Sequence, residues 1–123
     1  MPPFPKNTQR ELDHERLYQL HGDSRSMLLI ALDMFLDEVL VDFSVLENAV
    51  RSQNREEIAD MGHKLVPWLG MVGLTHLETQ LRQLVALAKS NADSTAITHS
   101  WEVFKTELDH MIPLVEAERR RLN

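Results

Sequence analysis

The chain contains no cysteine, so neither disulfides nor thiolate metal sites are open to it. No apolar run approaches the roughly 20 residues that a membrane span needs. No stretch alternates apolar and polar residues as a half-buried strand would. Glycine occurs only four times, too seldom to interrupt long helical patterns. Positive charge is in deficit: 13 Lys and Arg stand against 19 Asp and Glu, for a net charge of −6. That balance argues against a general nucleic-acid binder. There is no glycine-rich phosphate loop, no nucleophile elbow and no kinase motif. ATP hydrolysis and autophosphorylation are therefore not expected. The opening Met1-Pro2-Pro3-Phe4-Pro5 lacks the apolar stretch of a signal peptide, and residues 1–8 read as a linker or disordered terminus.

What is present is helical periodicity. The 123 residues suit one domain, with a core large enough to need no staples. A short first helix is expected over about residues 9–20, with Leu12, Leu17 and Leu20 inward. His21-Gly22-Asp23-Ser24 breaks it and offers Asp23 or Ser24 as the next N-cap. A long second helix runs to about Arg51, on the stripe Leu28, Leu32, Phe35, Leu36, Val39, Phe43, Leu46 and Val50. A third follows from Asn54 or Arg55 to Val72, with Gly73 as its stop. A fourth spans Leu74 to about Ser90. The last spans Ser94 to about Arg121, with Trp101, Phe104, Leu108, Met111 and Val115 inward and a possible kink at Pro113. The fold class is all-α: an antiparallel four-helix bundle with an additional short N-terminal helix, occupying residues 9–121. The closing Arg119-Arg120-Arg121 reads as a solvated helix end favoured by the macrodipole.

The third helix holds one residue that stands out. At 100° per residue, Ile58, Met61, Leu65, Trp68, Leu69 and Val72 share one side, and His63 falls opposite them. Beside it on that outer face lie Glu56, Ala59, Asp60, Val66, Pro67 and Gly70. Ala59, Pro67 and Gly70 are small or compact where Lys, Glu, Gln or Arg would be usual. Gly62, Pro67 and Gly70 are poor helix formers. The expectation is that they keep space clear around His63. An imidazole with its ordinary pKa of about 6.5 is a nucleophile near pH 7, and bulky neighbours would obstruct its in-line approach to a phosphoryl donor. The plainer reading is an ordinary exposed histidine on a polar face. Pro67 cannot donate to the carbonyl of His63, which predicts a bend or an opened turn there.

Met61-Gly62-His63-Lys64-Leu65-Val66-Pro67, followed by Gly73, resembles the signature of histidine-containing phosphotransfer (HPt) domains. The apolar residue two positions after the histidine and the helix-ending glycine ten positions after it are here Leu65 and Gly73. The leucine ladder of the next helix is Leu77, Leu81 and Leu84. Gly22-Asp23 and the pair Phe35 and Phe43 also fit the layout, so the resemblance spans about residues 12–115. The family commonly has lysine and glycine three and four residues after the histidine; this chain has Val66 and Pro67. It looks like the variant at the C-terminus of hybrid sensor histidine kinases. How a phosphoryl group on His63 is held is left open by this difference, since Lys64 points about 100° away round the helix.

The resemblance implies a phosphorelay intermediate. His63, on Nε2, would accept a phosphoryl group from a receiver-domain aspartate and pass it to another. Lys64, Pro67, Gly70 and Ala59 would shape access. The domain would need no cofactor, the magnesium belonging to the receiver. Partners would be response-regulator receiver domains and, if the domain is the C-terminal piece of a hybrid sensor kinase rather than free-standing, the rest of that kinase in the same chain. A cytoplasmic monomer without nucleic-acid or direct membrane contact is expected, acting as a carrier with no kinase or ATPase activity of its own. The competing reading is a non-catalytic helical adaptor, or a degenerate HPt-fold docking module.

Two further patterns need weighing. Glu11-x-x-His14 and Glu107-x-x-His110 repeat a motif of di-iron bundles, but both turn away from their apolar stripes, so no metal site is expected. Met27, Ile30, Met34 and Val41 form a second stripe on the second helix. The first and last helices are expected to cover it; otherwise it is a docking or dimer face.

Overall fold

The computed structural model describes residues 10–123. The expected linker at 1–8 lies outside them. Among the described residues every regular element is helical: α1 (His14–His21), α2 (Arg25–Met34), a π-helical turn (Phe35–Val39), α3 (Leu40–Arg51), α4 (Arg55–Met71), α5 (Thr75–Ala88) and α6 (Ser94–Leu122). The segments α2, π turn and α3 follow one another without a break and act as one long rod. That rod, α4, α5 and α6 make the antiparallel four-helix bundle, with α1 as the additional helix.

Local chemistry explains the boundaries. Asp13, Ser24, Asn54 and Asp93 each accept a hydrogen bond from the backbone N–H three residues on, which satisfies a donor the helix itself cannot. Ser24 rather than Asp23 thus caps α2. Helix α4 ends at Gly73, whose φ of +81° suits glycine. The Leu74 N–H reaches the Leu69 carbonyl at 2.8 Å and the Gly73 N–H reaches that of Gly70 at 3.1 Å, a Schellman ending.

The core is leucine-rich and crossed by a chain of aromatic rings. Phe35 meets Phe43 edge-on at 6.4 Å, Phe43 meets Phe104 at 5.7 Å, and Phe104 meets Trp101 at 5.7 Å. Leu32, Phe35, Leu46, Ile58, Leu69, Leu77, Leu81, Leu84 and Phe104 are fully enclosed. Burying each such side chain is worth about 1.5–3 kcal/mol. Polar ties set the antiparallel ends. Arg25 donates to the Leu122 carbonyl at 2.9 and 2.6 Å, and Arg55 donates to the carbonyls of Ser90 and Ala92.

Several expectations change. The first helix begins at His14, because Asp13 caps it and donates its own N–H to the Gly73 carbonyl at 2.8 Å, which ties the start of the helix to the α4–α5 turn. Leu20 is not inward; it is 43% exposed. Arg119 is more than a solvated helix end, since it bridges Asp33 at 3.3 Å and Asp37 at 3.0 Å. Those two carboxylates hold its guanidinium above its ordinary pKa, Asp37 most strongly. Helix α6 runs through Pro113 without interruption. The second stripe is uncovered: Met27, Ile30, Met34 and Val41 are all exposed. Helix α1 has only eight residues and is tied to the α4–α5 turn, so it leaves this face of α2 open.

Candidate functional site

Helix α4 places His63 near its middle. Ile58, Leu65, Leu69 and Val72 are buried, and His63 is exposed. The helical arithmetic therefore put the imidazole on the correct side. Among the described residues nothing hydrogen-bonds its ring, which leaves the imidazole to solvent or a partner.

The surroundings of the ring come from two helices. His63, Val66 and Pro67 of α4 and Arg82 and Val85 of α5 line one shallow hollow of about 240 Å³. Val66 and Val85 are buried and give the hollow an apolar floor; Pro67 and Arg82 are exposed. Arg82 is the one charged side chain lining it, and it was not among the residues singled out from the sequence. Its signal was weak: the leucine ladder of α5 says which face is buried, but not which exposed residue meets His63.

Lys64 lies elsewhere. It lines a separate hollow with Asn54, Glu56, Glu57, Asp60 and Met61, three of them acidic. One residue's rotation round α4 is enough to separate it from the hollow of His63.

Ala59 and Gly70 do not clear space around His63. Both are buried. A Cβ at Gly70 would stand 2.5 Å from Glu78 Oε2 and 3.1 Å from Arg16 Nη2, so this glycine makes room for a packed ion pair. Arg16 bridges Glu78 at 3.6 Å, joining α1 to α5 across α4. Gly62 has a similar reason: a Cβ there would stand 2.5 Å from Val85 Cγ2. The small residues flanking His63 thus serve the close approach of α5 and α1. The wheel assigned α4 a single buried face, whereas α5 packs against a second one.

Pro67 sits on the exposed rim, and α4 stays helical on both sides of it. The opened turn that its missing donor suggested is absent. Leu65 and Leu69, at 1% and 0% exposure, anchor the same turn in the core. Their burial offsets a proline cost of about 3 kcal/mol.

The two Glu-x-x-His pairs stand at the surface. Glu107 is engaged by Arg10 at 3.2 Å and His76 at 3.3 Å. Although partial burial opposes it, these hydrogen bonds hold the Glu107 carboxyl below its ordinary pKa. Among the described residues no cluster of three or more His, Asp or Glu side chains is arranged to hold a metal ion, and no helix is long and apolar enough to cross a membrane.

An exposed histidine midway along one helix of an antiparallel bundle is the arrangement of a phosphotransfer domain. The family model of the Hpt domain matches residues 30–118, well over half of the chain and all of α3, α4 and α5. The chain belongs to the Hpt domain family. No curated protein and no solved structure matches it.

Proposed function

We propose that the protein is a phosphorelay intermediate that takes a phosphoryl group from the aspartyl phosphate of a receiver domain onto His63 and returns it to the aspartate of another. The observation that carries this reading is the position of His63, exposed at mid-helix within the span that matches the family. The Nε2 lone pair attacks phosphorus in line with the acyl P–O bond. That bond breaks and its electron pair leaves on the aspartate carboxylate. The phosphoimidazolium so formed releases its Nδ1 proton to solvent. In the return step the ring is protonated again, the second aspartate attacks, and the N–P electron pair goes back to Nε2. The protein contributes position and exposure, which suits a reaction governed by alignment and charge.

Pro67 borders the imidazole and shapes what can approach it. The exposed apolar residues of α2 and α3 supply adaptable contact area for a receiver. The setting is the cytoplasm, where receivers act. The test is to mix the purified protein with a phosphorylated receiver and to look for acid-labile, base-stable label. Label on His63 that disappears in His63→Gln is the expected result. Receiver binding without label on the wild-type protein would favour the adaptor reading instead.

A further inference from the structure

The proposed chemistry leaves a dianionic group on His63 with no obvious cation. A phosphoryl group brings roughly 1.5 to 2 negative charges at pH 7 and three acceptor oxygens. The neighbouring residues on α4 do not meet that charge. Val66 and Pro67 carry none, and Lys64 faces the hollow that it shares with Glu56, Glu57 and Asp60.

The cation comes from the next helix. Arg82 shares the hollow of His63 with Val66, Pro67 and Val85. Its side chain is 61% exposed, and its contact to Glu78 Oε2 is long, at 3.9 Å. Glu78 already has the closer guanidinium of Arg16, at 3.6 Å. One carboxylate between two guanidinium groups leaves net positive charge on this side of α5. A planar fork of N–H donors matches phosphoryl oxygens better than a long single contact to a carboxylate. The apolar walls of Val66 and Val85 exclude water from one side, which strengthens a charge pair formed there.

Building on His63 as the acceptor, we propose that Arg82 is the binding residue for the phosphoryl group carried by His63, reaching across from α5 in place of a cation on α4. Arg82 swings from Glu78 to the phosphoryl oxygens when His63 is loaded, while Arg16 keeps Glu78 neutralised. The close approach of α5 at Gly62 and Val85 fixes the base from which Arg82 reaches.

The experiment phosphorylates the whole chain with potassium phosphoramidate, which needs no receiver, and follows the phosphoryl group by phosphorus NMR as pH is varied. A guanidinium beside the dianion favours its charged form. The expected result is a phosphoryl titration shifted upward by about half a unit or more in Arg82→Gln, restored in part by Arg82→Lys and unmoved in Lys64→Ala. Arg82 is exposed, so these substitutions leave the fold intact. If the wild type and Arg82→Gln titrate identically, or if only Lys64→Ala moves the titration, the role of Arg82 is overturned while His63 keeps its own. If the wild-type protein takes no label at His63, the acceptor reading itself falls and the role of Arg82 falls with it.

Discussion

Gly62 precedes His63, and its missing side chain is a packing requirement. An added Cβ would lie 2.5 Å from Val85 Cγ2, and valine is stiff at χ1, so it cannot swing aside cheaply. Alanine would gain about 1 kcal/mol of helix propensity over glycine. Overpacking costs about 1–3 kcal/mol, and the clash here is severe enough to win. Gly62→Ala should therefore destabilise the protein by about 1 kcal/mol in denaturant unfolding. Combined with Val85→Ala, it should cost less than the sum of the two single changes; strict additivity would show that the two residues do not press on each other. His63→Gln, by contrast, alters an exposed side chain. It should stay within about 0.5 kcal/mol of the wild type while losing the label. At this scale the sequence exposed the proposed acceptor and hid its neighbour across the helix interface. His63 was legible because a helical wheel needs only one helix. Arg82 was not, because its place beside His63 depends on how α5 lies on α4. For the same reason Ala59 and Gly70 looked like surface clearance and proved to be interface.

Among the elements, α1 is fastened at its start by one side chain with two partners. Asp13 Oδ1 accepts the Arg16 N–H at 3.0 Å and Oδ2 accepts the Thr75 hydroxyl at 2.7 Å. The Arg16 backbone bond, then the Thr75 bond, holds its carboxyl below its ordinary pKa. A depressed folded-state pKa means that the unfolded chain binds the proton first. The stabilisation is therefore complete above the unfolded carboxyl value of about 3.9 and is lost as pH falls through the lower folded value. Asparagine also caps helices well but does not titrate. The stability difference between the wild type and Asp13→Asn should hold steady from pH 7 to 5 and shrink as pH falls below about 4. A difference that is flat down to pH 2 would remove Asp13 from the acid response. Asp13→Ala, which keeps neither bond, should cost about 1 kcal/mol at pH 7. Element number and order were readable because capping residues and apolar stripes are local signals. The π turn was not. Its Leu40 N–H reaches back five residues to Phe35, yet the spacing of Phe35, Val39 and Phe43 also fits an ordinary helix. Pro67 shows the converse: a local signal predicted a bend or an opened turn, and with Leu65 and Leu69 buried on the opposite face no turn opens.

At the scale of the whole molecule, the unexpected feature is the apolar stripe left bare. Met27, Ile30 and Val41 are 55%, 58% and 63% exposed. The sequence showed the stripe but not its fate. Covering it depended on where α1 lies, and α1 is drawn to the α4–α5 turn by Asp13, Thr75 and the Arg16–Glu78 pair. Helix α6 meets the rod through Phe104 against Phe43 and through Arg119, bound to Asp33 and Asp37. With neither helix over it, this face keeps apolar area open to water, and grouped apolar area of this kind marks interaction surfaces. If receivers dock there, chemistry and docking should separate by mutation. Ile30→Glu places a charge in the middle of the stripe without touching the core. It should weaken receiver binding by about 1 kcal/mol or more, read as a fivefold or greater rise in KM for transfer from a phosphorylated receiver. Labelling of His63 by phosphoramidate, which requires no docking, should proceed at the wild-type rate. Unchanged KM in Ile30→Glu would exclude this face from the receiver contact. Slowed phosphoramidate labelling would mean that the substitution had disturbed α4 itself, and that the bare stripe and the face of His63 are not independent parts of the molecule.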